Sequence, residues 1–225
     1  MSLSVINQKP GAFIFDLNGT MIDDMEYHIR AWHHLINTEL GGNLSYEQVK
    51  KEMYGKNSEV LTRIFGQGVF TPERMDQLSI EKERGYQKEF RPHLKLIKGL
   101  DVLLKRAYQN NIAMAIGSAA IMFNIDFVLD NLEIRHYFKA LVSADDVQHS
   151  KPDPETYLKA AAILKIDPSN CIVFEDAPKG VEAAANAGMR CVVITTMHTE
   201  EEFKGYNNIL HFIADYLDPF LDNLF

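Results

Sequence analysis

The chain has 225 residues, of which 46% are hydrophobic and 24% charged, with a formal net charge of −8. That is an ordinary globular composition, and at ~150 residues per domain the length suggests one main domain with a smaller insert. An acidic chain without a Lys/Arg cluster is repelled by a phosphate backbone, so no nucleic-acid partner is expected and an anionic ligand must be held by local charges.

In chain order, residues 12–15 form the first short run of β-formers. Residues 24–91 differ in texture: they are rich in charge, hold several helix-like stretches and contain no convincing strand, which reads as a helical insert. Pro92 and Gly99 mark the return to the main domain. Residues 99–109 carry Leu100, Leu103, Leu104 and Ala107 at helical spacing, and residues 112–116 form a second strand-like run. A third run covers 140–142. A helix over 153–164 comes next, with Asp153 as its cap and Pro154 preset for the first helical position. Residues 171–174 form the fourth run, an Ala-rich helix over 181–187 ends at Gly188, and residues 191–194 form the fifth. Strands alternating with helices predict an α/β protein with a doubly wound parallel sheet and helices on both faces. The core is expected from residues 1–23 and 92–225, and the helical insert from 24–91.

The longest nearly apolar run, residues 113–123, is interrupted by Gly117 and Ser118 and is far shorter than the ~20 residues that span a bilayer, so no membrane partner is expected. The chain does not open on a basic segment followed by a long apolar one, which argues against a secretory leader. Cys171 and Cys191 each open a β-like run and read as buried thiols in a reducing cytoplasm. Neither has a second Cys or His at ligand spacing, which excludes zinc. A monomer is the default expectation.

In an open parallel sheet, ligands bind outside the carboxyl ends of the strands. The residues just past each strand are therefore the candidates for a site. After the first comes Asp16-Leu17-Asn18-Gly19-Thr20; after the second, Gly117-Ser118-Ala119; near the third, Asp145 and Asp146 and then Ser150-Lys151-Pro152; after the fourth, Glu175-Asp176. Carboxylates with one ammonium, one hydroxyl and one amide suit a divalent hard cation and a phosphoryl group. Mg²⁺ takes a few carboxylates plus water and substrate phosphate, which Asp16 and Asp176 would supply. Asp16 could then attack phosphorus, while Lys151 and Ser118 hold the remaining phosphoryl oxygens.

These residues resemble the haloacid dehalogenase superfamily, in its β-phosphoglucomutase-like branch. The resemblance covers nearly the whole chain and rests on four motifs in order: Phe15-Asp16-Leu17-Asn18-Gly19-Thr20, Ser118, Ser150-Lys151-Pro152-Asp153-Pro154, and Glu175-Asp176-Ala177-Pro178-Lys179-Gly180. It implies that Asp16 is the nucleophile of a phosphoaspartate. It also implies that Asp16, Asp176 and the backbone carbonyl of Asn18 bind Mg²⁺, with Glu175 as the neighbouring acid of the metal site. The insert, with Asp24-Met25-Glu26-Tyr27-His28 followed by Trp32, resembles the small helical cap of sugar-phosphate mutases and phosphatases. On that likeness His28 and Trp32 lie near the hinge and the substrate, Gly55 and Lys56 sit on a cap loop that closes over the site, and Lys82 faces the cleft. Thr20 and Ala119 complete the substrate-binding candidates. A closing cap expels water and favours transfer to a sugar over hydrolysis.

Two departures from the family pattern bear on function. Asn18 occupies the place of the general acid/base Asp, and an amide neither protonates a leaving oxygen nor activates an acceptor; such a loss is typically worth ~10²- to 10⁴-fold in rate. Two readings of it stand: an acid exchanged for its amide to trap a complex, or a native chain that turns over slowly or serves to bind. Secondly, Ser58 aligns where dedicated β-phosphoglucomutases carry an Arg for the distal phosphate, and Ala120, Ile121 and Met122 replace small polar residues. The expected function is therefore Mg²⁺-dependent hydrolysis of a small phosphorylated metabolite, with low turnover. The alternatives are a β-phosphoglucomutase-type mutase and a catalytically silent phosphosugar-binding regulator.

Overall fold

A computed structural model of the chain describes residues 9–225; the stretch that bears on a secretory leader lies outside them. Six strands are present among the described residues: β1 (Ala12–Phe15), β2 (Ala113–Gly117), β3 (Ala140–Val142), β4 (Cys171–Glu175), β5 (Arg190–Ile194) and β6 (Ile209–Ile213). All pair in parallel, in the order β3-β2-β1-β4-β5-β6. The expected doubly wound sheet is thus present, with a sixth strand beyond the five expected. The helices are α1 (Met25–His34), α2 (Tyr46–Glu52), α3 (Asn57–Phe65), α4 (Pro72–Phe90), α5 (Leu100–Gln109), α6 (Met122–Asn131), α7 (Glu155–Leu164) and α8 (Pro178–Asn186).

Among the described residues, 9–23 and 95–225 make up one compact unit and 24–94 a second. In the first, β1 and β4 are buried along their whole length, as strands covered on both faces must be. Side-chain alternation sorts their residues. Ala12, Ile14 and Val173 join Tyr157, Ala160 and Ala161 of α7 and Val181 and Ala184 of α8 on one face. Phe13, Phe15 and Phe174 lie on the other, where the rings of Phe15 and Phe174 stack at 4.7 Å and Phe225 meets Phe13 edge-on. Arg106 of α5, over the Phe225 ring, covers that side.

Two helix starts differ from expectation. α7 begins at Glu155, so Pro154 rather than Asp153 takes the capping position and the helix starts one residue later than the spacing predicted; Asp153 Oδ1 accepts the Glu155 amide at 2.9 Å in the turn just before it. α8 begins earlier than expected because Pro178 takes the first helical position. Gly188 adopts φ +73° after α8, the left-handed stop foreseen for it.

The second unit is all helical among the described residues. Ser45 and Gln48 form a reciprocal cap for α2, and Thr71 with Pro72 starts α4. Ile29, Trp32, Leu35, Leu78, Tyr86 and Phe90 are buried apolar side chains in the interior of this unit. That interior also holds a charged network. Lys82 Nζ, 4% exposed as a residue, meets His28 Nδ1 at 2.7 Å and Glu83 Oε1 at 2.8 Å. An ammonium only donates, so Nδ1 accepts and the His28 proton sits on Nε2, which faces Asp24 Oδ2 at 3.3 Å. The Tyr86 hydroxyl donates to the same Asp24 oxygen, its ring stacks on His28 at 3.8 Å, and Asn57 Nδ2 donates to Glu83 Oε1 at 2.8 Å. A buried charge this well paired is tolerated, whereas an orphaned one is not.

Burial works to raise the Glu83 carboxyl, but the charge of Lys82 and the hydrogen bonds from Lys82 and Asn57 outweigh it and hold it at about 2. A carboxyl depressed in the fold stabilises above its unfolded value and loses that contribution as pH falls through the folded one. Glu83 should therefore supply on the order of 3 kcal/mol at neutral pH that vanishes between about pH 4.5 and 2. Glu83→Gln, followed by denaturant unfolding across pH 2–7, is expected to lower stability at pH 7 by a similar amount, about 3 kcal/mol, and to flatten the acid limb. An acid limb as steep as that of the parent chain would show that Glu83 does not carry this charge.

Candidate active site

β1 lies between β2 and β4, and the chain leaves β1 towards one side of the sheet but leaves β4 towards the other. The crevice beyond the carboxyl ends of these strands is the switch point where such sheets bind ligands. Phe15 pairs with Ile116 and with Phe174, so the next residue, Asp16, stands level with Gly117 on one side and Glu175 on the other. Ser118 comes one step further along β2, with Ala119 beside it.

The ammonium of Lys151 joins the strand ends. Its Nζ donates to Asp16 Oδ1 at 2.7 Å and to Glu175 Oε1 at 2.8 Å, and all three residues are buried. Burial alone would depress this lysine, but Asp16 and Glu175 outweigh it and hold the ammonium above its usual range. Glu175 is also fixed by others: the Tyr157 hydroxyl donates to Oε1 at 2.9 Å, and the amides of Asp176 and Ala177 donate to Oε2 at 2.8 Å each. Those amides belong to the turn that leads from β4 into α8, so the backbone itself holds this carboxylate in place. A Cβ on Gly180 would lie 1.6 Å from Glu175 Oε1, which is why a glycine is needed there.

Asp176 is 4% exposed and accepts the Thr20 hydroxyl at 3.0 Å. Burial, then the charges of Glu175 and Asp16, push its carboxyl well above the ordinary range. The turn after β1 is built to meet it. Gly19 has φ +73°, and a Cβ there would lie 2.1 Å from Asp176 Oδ2. Leu17 O receives the Met21 amide at 2.8 Å, Thr196 Oγ1 donates to Gly19 O at 2.7 Å, and the Tyr216 hydroxyl donates to Thr20 O at 2.9 Å. Asn18, partly buried, sits in this turn and bridges to Ile22. Ser118 is 1% exposed; its amide donates to Val142 O and its Oγ accepts the Ala120 amide at 3.1 Å.

Asp16, Thr20, Lys151, Glu175 and Asp176 thus converge in one buried cluster, with Asn18 in its turn and Ser118 and Ala119 at the neighbouring strand end. Two carboxylates share the one ammonium and a third, Asp176, lies beside them, a set of hard oxygens with acid in excess that would suit a divalent cation. His28, Trp32 and Lys82 are brought together in the helical unit, where Lys82 Nζ lies 5.2 Å from the centre of the Trp32 ring. Gly55, at φ +77°, and Lys56, which precedes α3, lie on the α2–α3 connection, next to the Asn57 that reaches Glu83. Tyr157, Thr196 and Tyr216 were not singled out in the sequence, and the first of these carries no local signal beyond an apolar helical stripe.

The profile of the haloacid dehalogenase-like hydrolases matches residues 13–194. The chain is 33% identical to the β-phosphoglucomutase of Bacillus subtilis over 80% of its own length and 81% of that protein's. It is 30% identical to the fructose-1-phosphate phosphatase of Escherichia coli over 82% and 96%. It superimposes on the crystal structure of the β-phosphoglucomutase from Clostridium difficile with a TM-score of 0.80, at 28% identity, covering 92% of each chain. With the motif residues gathered at the switch point of the sheet, the chain belongs to the haloacid dehalogenase-like hydrolase family.

Proposed function

We propose that the chain is a Mg²⁺-dependent phosphatase of a small phosphorylated metabolite, a sugar phosphate, acting through a phosphoaspartate on Asp16. The observation that carries this reading is the Lys151 ammonium clamped between Asp16 and Glu175, with the buried Asp176 beside them. Asp16, Asp176 and the backbone carbonyl of Asn18 would hold the metal. Glu175, with both oxygens already committed to protein donors, would support it from behind. Bound Mg²⁺ would offset the repulsion between the Asp16 carboxylate and a phosphate dianion.

An Asp16 carboxylate oxygen attacks phosphorus, the ester bond to the sugar oxygen breaks, and water then hydrolyses the acyl phosphate to free phosphate and Asp16. Lys151 and Ser118 hold the nonbridging oxygens as charge spreads over them. Asn18 supplies no proton to the departing sugar oxygen, so that proton comes from solvent and turnover is slow. In the helical unit, His28, Trp32, Lys82, Gly55 and Lys56 serve recognition of the organic part of the substrate, as Thr20 and Ala119 do in the core. Hydrolysis is favoured over mutase action because Ser58 offers no cation for a second phosphate. The resemblance to a fructose-1-phosphate phosphatase and a β-phosphoglucomutase supports a sugar phosphate as substrate. Asn18 favours one second reading, a silent phosphosugar-binding regulator in a reducing cytoplasm.

Phosphate release from a panel of sugar phosphates with Mg²⁺ separates these readings. Asn18→Asp is expected to raise turnover ~10²-fold or more, and Asp16→Asn to abolish it in either background. Activity surviving in Asp16→Asn would remove the phosphoaspartate, and a panel that binds without ever turning over would favour the regulator.

Metal dependence is readable without turnover. Mg²⁺ at about ten times its dissociation constant should raise the unfolding midpoint by about 3–6 °C. Asp176→Asn, which removes one of the excess buried carboxylates, should be more stable than the parent chain without Mg²⁺ and gain nothing from it. A parent chain indifferent to Mg²⁺ in calorimetry would count against the metal.

A further inference from the structure

Tyr157 belongs to α7, a helix that contributes none of the residues assigned above, yet it touches three parts of the site. Its side chain is fully buried, and its hydroxyl donates to Glu175 Oε1 at 2.9 Å, the same oxygen that accepts Lys151 Nζ at 2.8 Å. The Lys151 ammonium lies 4.6 Å from the centre of the Tyr157 ring. The ring also rests on the end of β2: a Cβ on Gly117 would come within 3.1 Å of its Cδ1 and 3.2 Å of its Cε1. Ser118 is the next residue along.

A lysine side chain has four rotatable bonds and costs up to ~2 kcal/mol of rotamer entropy to hold in place. Two carboxylates alone attract its charge without fixing the path of the stem. A ring beneath the ammonium adds a directional attraction, and a hydroxyl on the shared carboxylate oxygen keeps Glu175 from swinging towards the lysine. We propose that Tyr157 is a positioning residue of the phosphoryl-transfer site: its ring and hydroxyl together hold Lys151 and Glu175 so that the ammonium faces Asp16. The proposal rests on the reading of Asp16 and Lys151 given above. It assigns Tyr157 no contact with substrate, and Gly117 is the complement that makes room for its ring.

The test reads Lys151 directly. Tyr157→Phe keeps the ring and removes the hydroxyl, and Tyr157→Leu removes both. In the full chain with Mg²⁺, the acetylation rate of Lys151 by an N-hydroxysuccinimide ester, followed by mass spectrometry, should rise about threefold in Tyr157→Phe and about tenfold in Tyr157→Leu. Cys171 and Cys191, fully buried in the same core, should stay protected from a maleimide. In the Asn18→Asp background, Tyr157→Phe should lower kcat about tenfold with KM changed less than twofold, and should cost nothing further once Lys151→Ala is present. Unchanged Lys151 labelling overturns the proposal, as does labelling of the cysteines in step with the lysine, since that reports general loosening. Raised labelling in a chain that turns over no sugar phosphate would leave Tyr157 as the positioner of Lys151 while removing the phosphatase reading.

Discussion

One ammonium shared between two carboxylates organises the core unit. Lys151 and Asp16 are 135 residues apart in sequence and meet at 2.7 Å, and Glu175, from a third segment, lies at 2.8 Å. The contact requires β1 and β4 to be neighbours in register, so that Asp16 stands level with Glu175. It requires the chain to return from β3 across the sheet and carry Lys151 over their ends. It also requires glycines at 19 and 180, because a side chain at either place would occupy the volume of Asp176 or Glu175. Burial makes the pairing obligatory, since any of these charges left alone in that interior would cost several kcal/mol.

The two units treat buried charge in opposite ways. In the helical unit Lys82 is matched by Glu83, and the His28 ring passes its hydrogen bonds on to Asp24 and lies against Tyr86. In the α/β unit three carboxylates face one ammonium, and the Asp176 carboxyl is pushed well above its ordinary range, first by burial and then by its neighbours. In the first interior each charge has a partner of opposite sign; the second keeps an excess of buried acid, which would suit the cation proposed there. This contrast, more than the number of acids, supports the site proposed at the strand ends.

Most of the sheet and the centre of the site were legible because strand ends are a position rule as well as a composition rule. Asp16, Ser118, Glu175 and Asp176 come directly after apolar runs, and Lys151 precedes a Pro-Asp-Pro turn. Strand β6 escaped because Ile209–Ile213 is an edge strand, half-buried and interrupted by His211, so it lacks the continuous apolar run of a central strand. Tyr157 escaped for a different reason. In sequence it is one more apolar residue in the α7 stripe with Ala160 and Ala161, and only the register between α7 and β4 turns its hydroxyl into a ligand of Glu175. Glu83 was hidden among the charges of α4, a helix whose sequence resembles a solvated surface, although Lys82, Glu83 and Tyr86 face inward.

Asn18 is a chemical departure that the fold absorbs. The turn that carries it is held by the Leu17 carbonyl receiving the Met21 amide, by Thr196 on Gly19, by Thr20 on Asp176 and by Tyr216 on Thr20. None of these bonds calls on a carboxylate at position 18. An acid and its amide have nearly the same shape, and the bonds just named belong to Leu17, Gly19 and Thr20, not to the side chain at 18. What the exchange removes is the proton and the charge. Near Asp16, Glu175 and Asp176, one negative charge fewer eases the approach of a phosphate dianion while leaving the departing oxygen without an acid. On the proposed mechanism an amide at position 18 would favour binding and disfavour turnover, so affinity and rate are separate measurements in this chain.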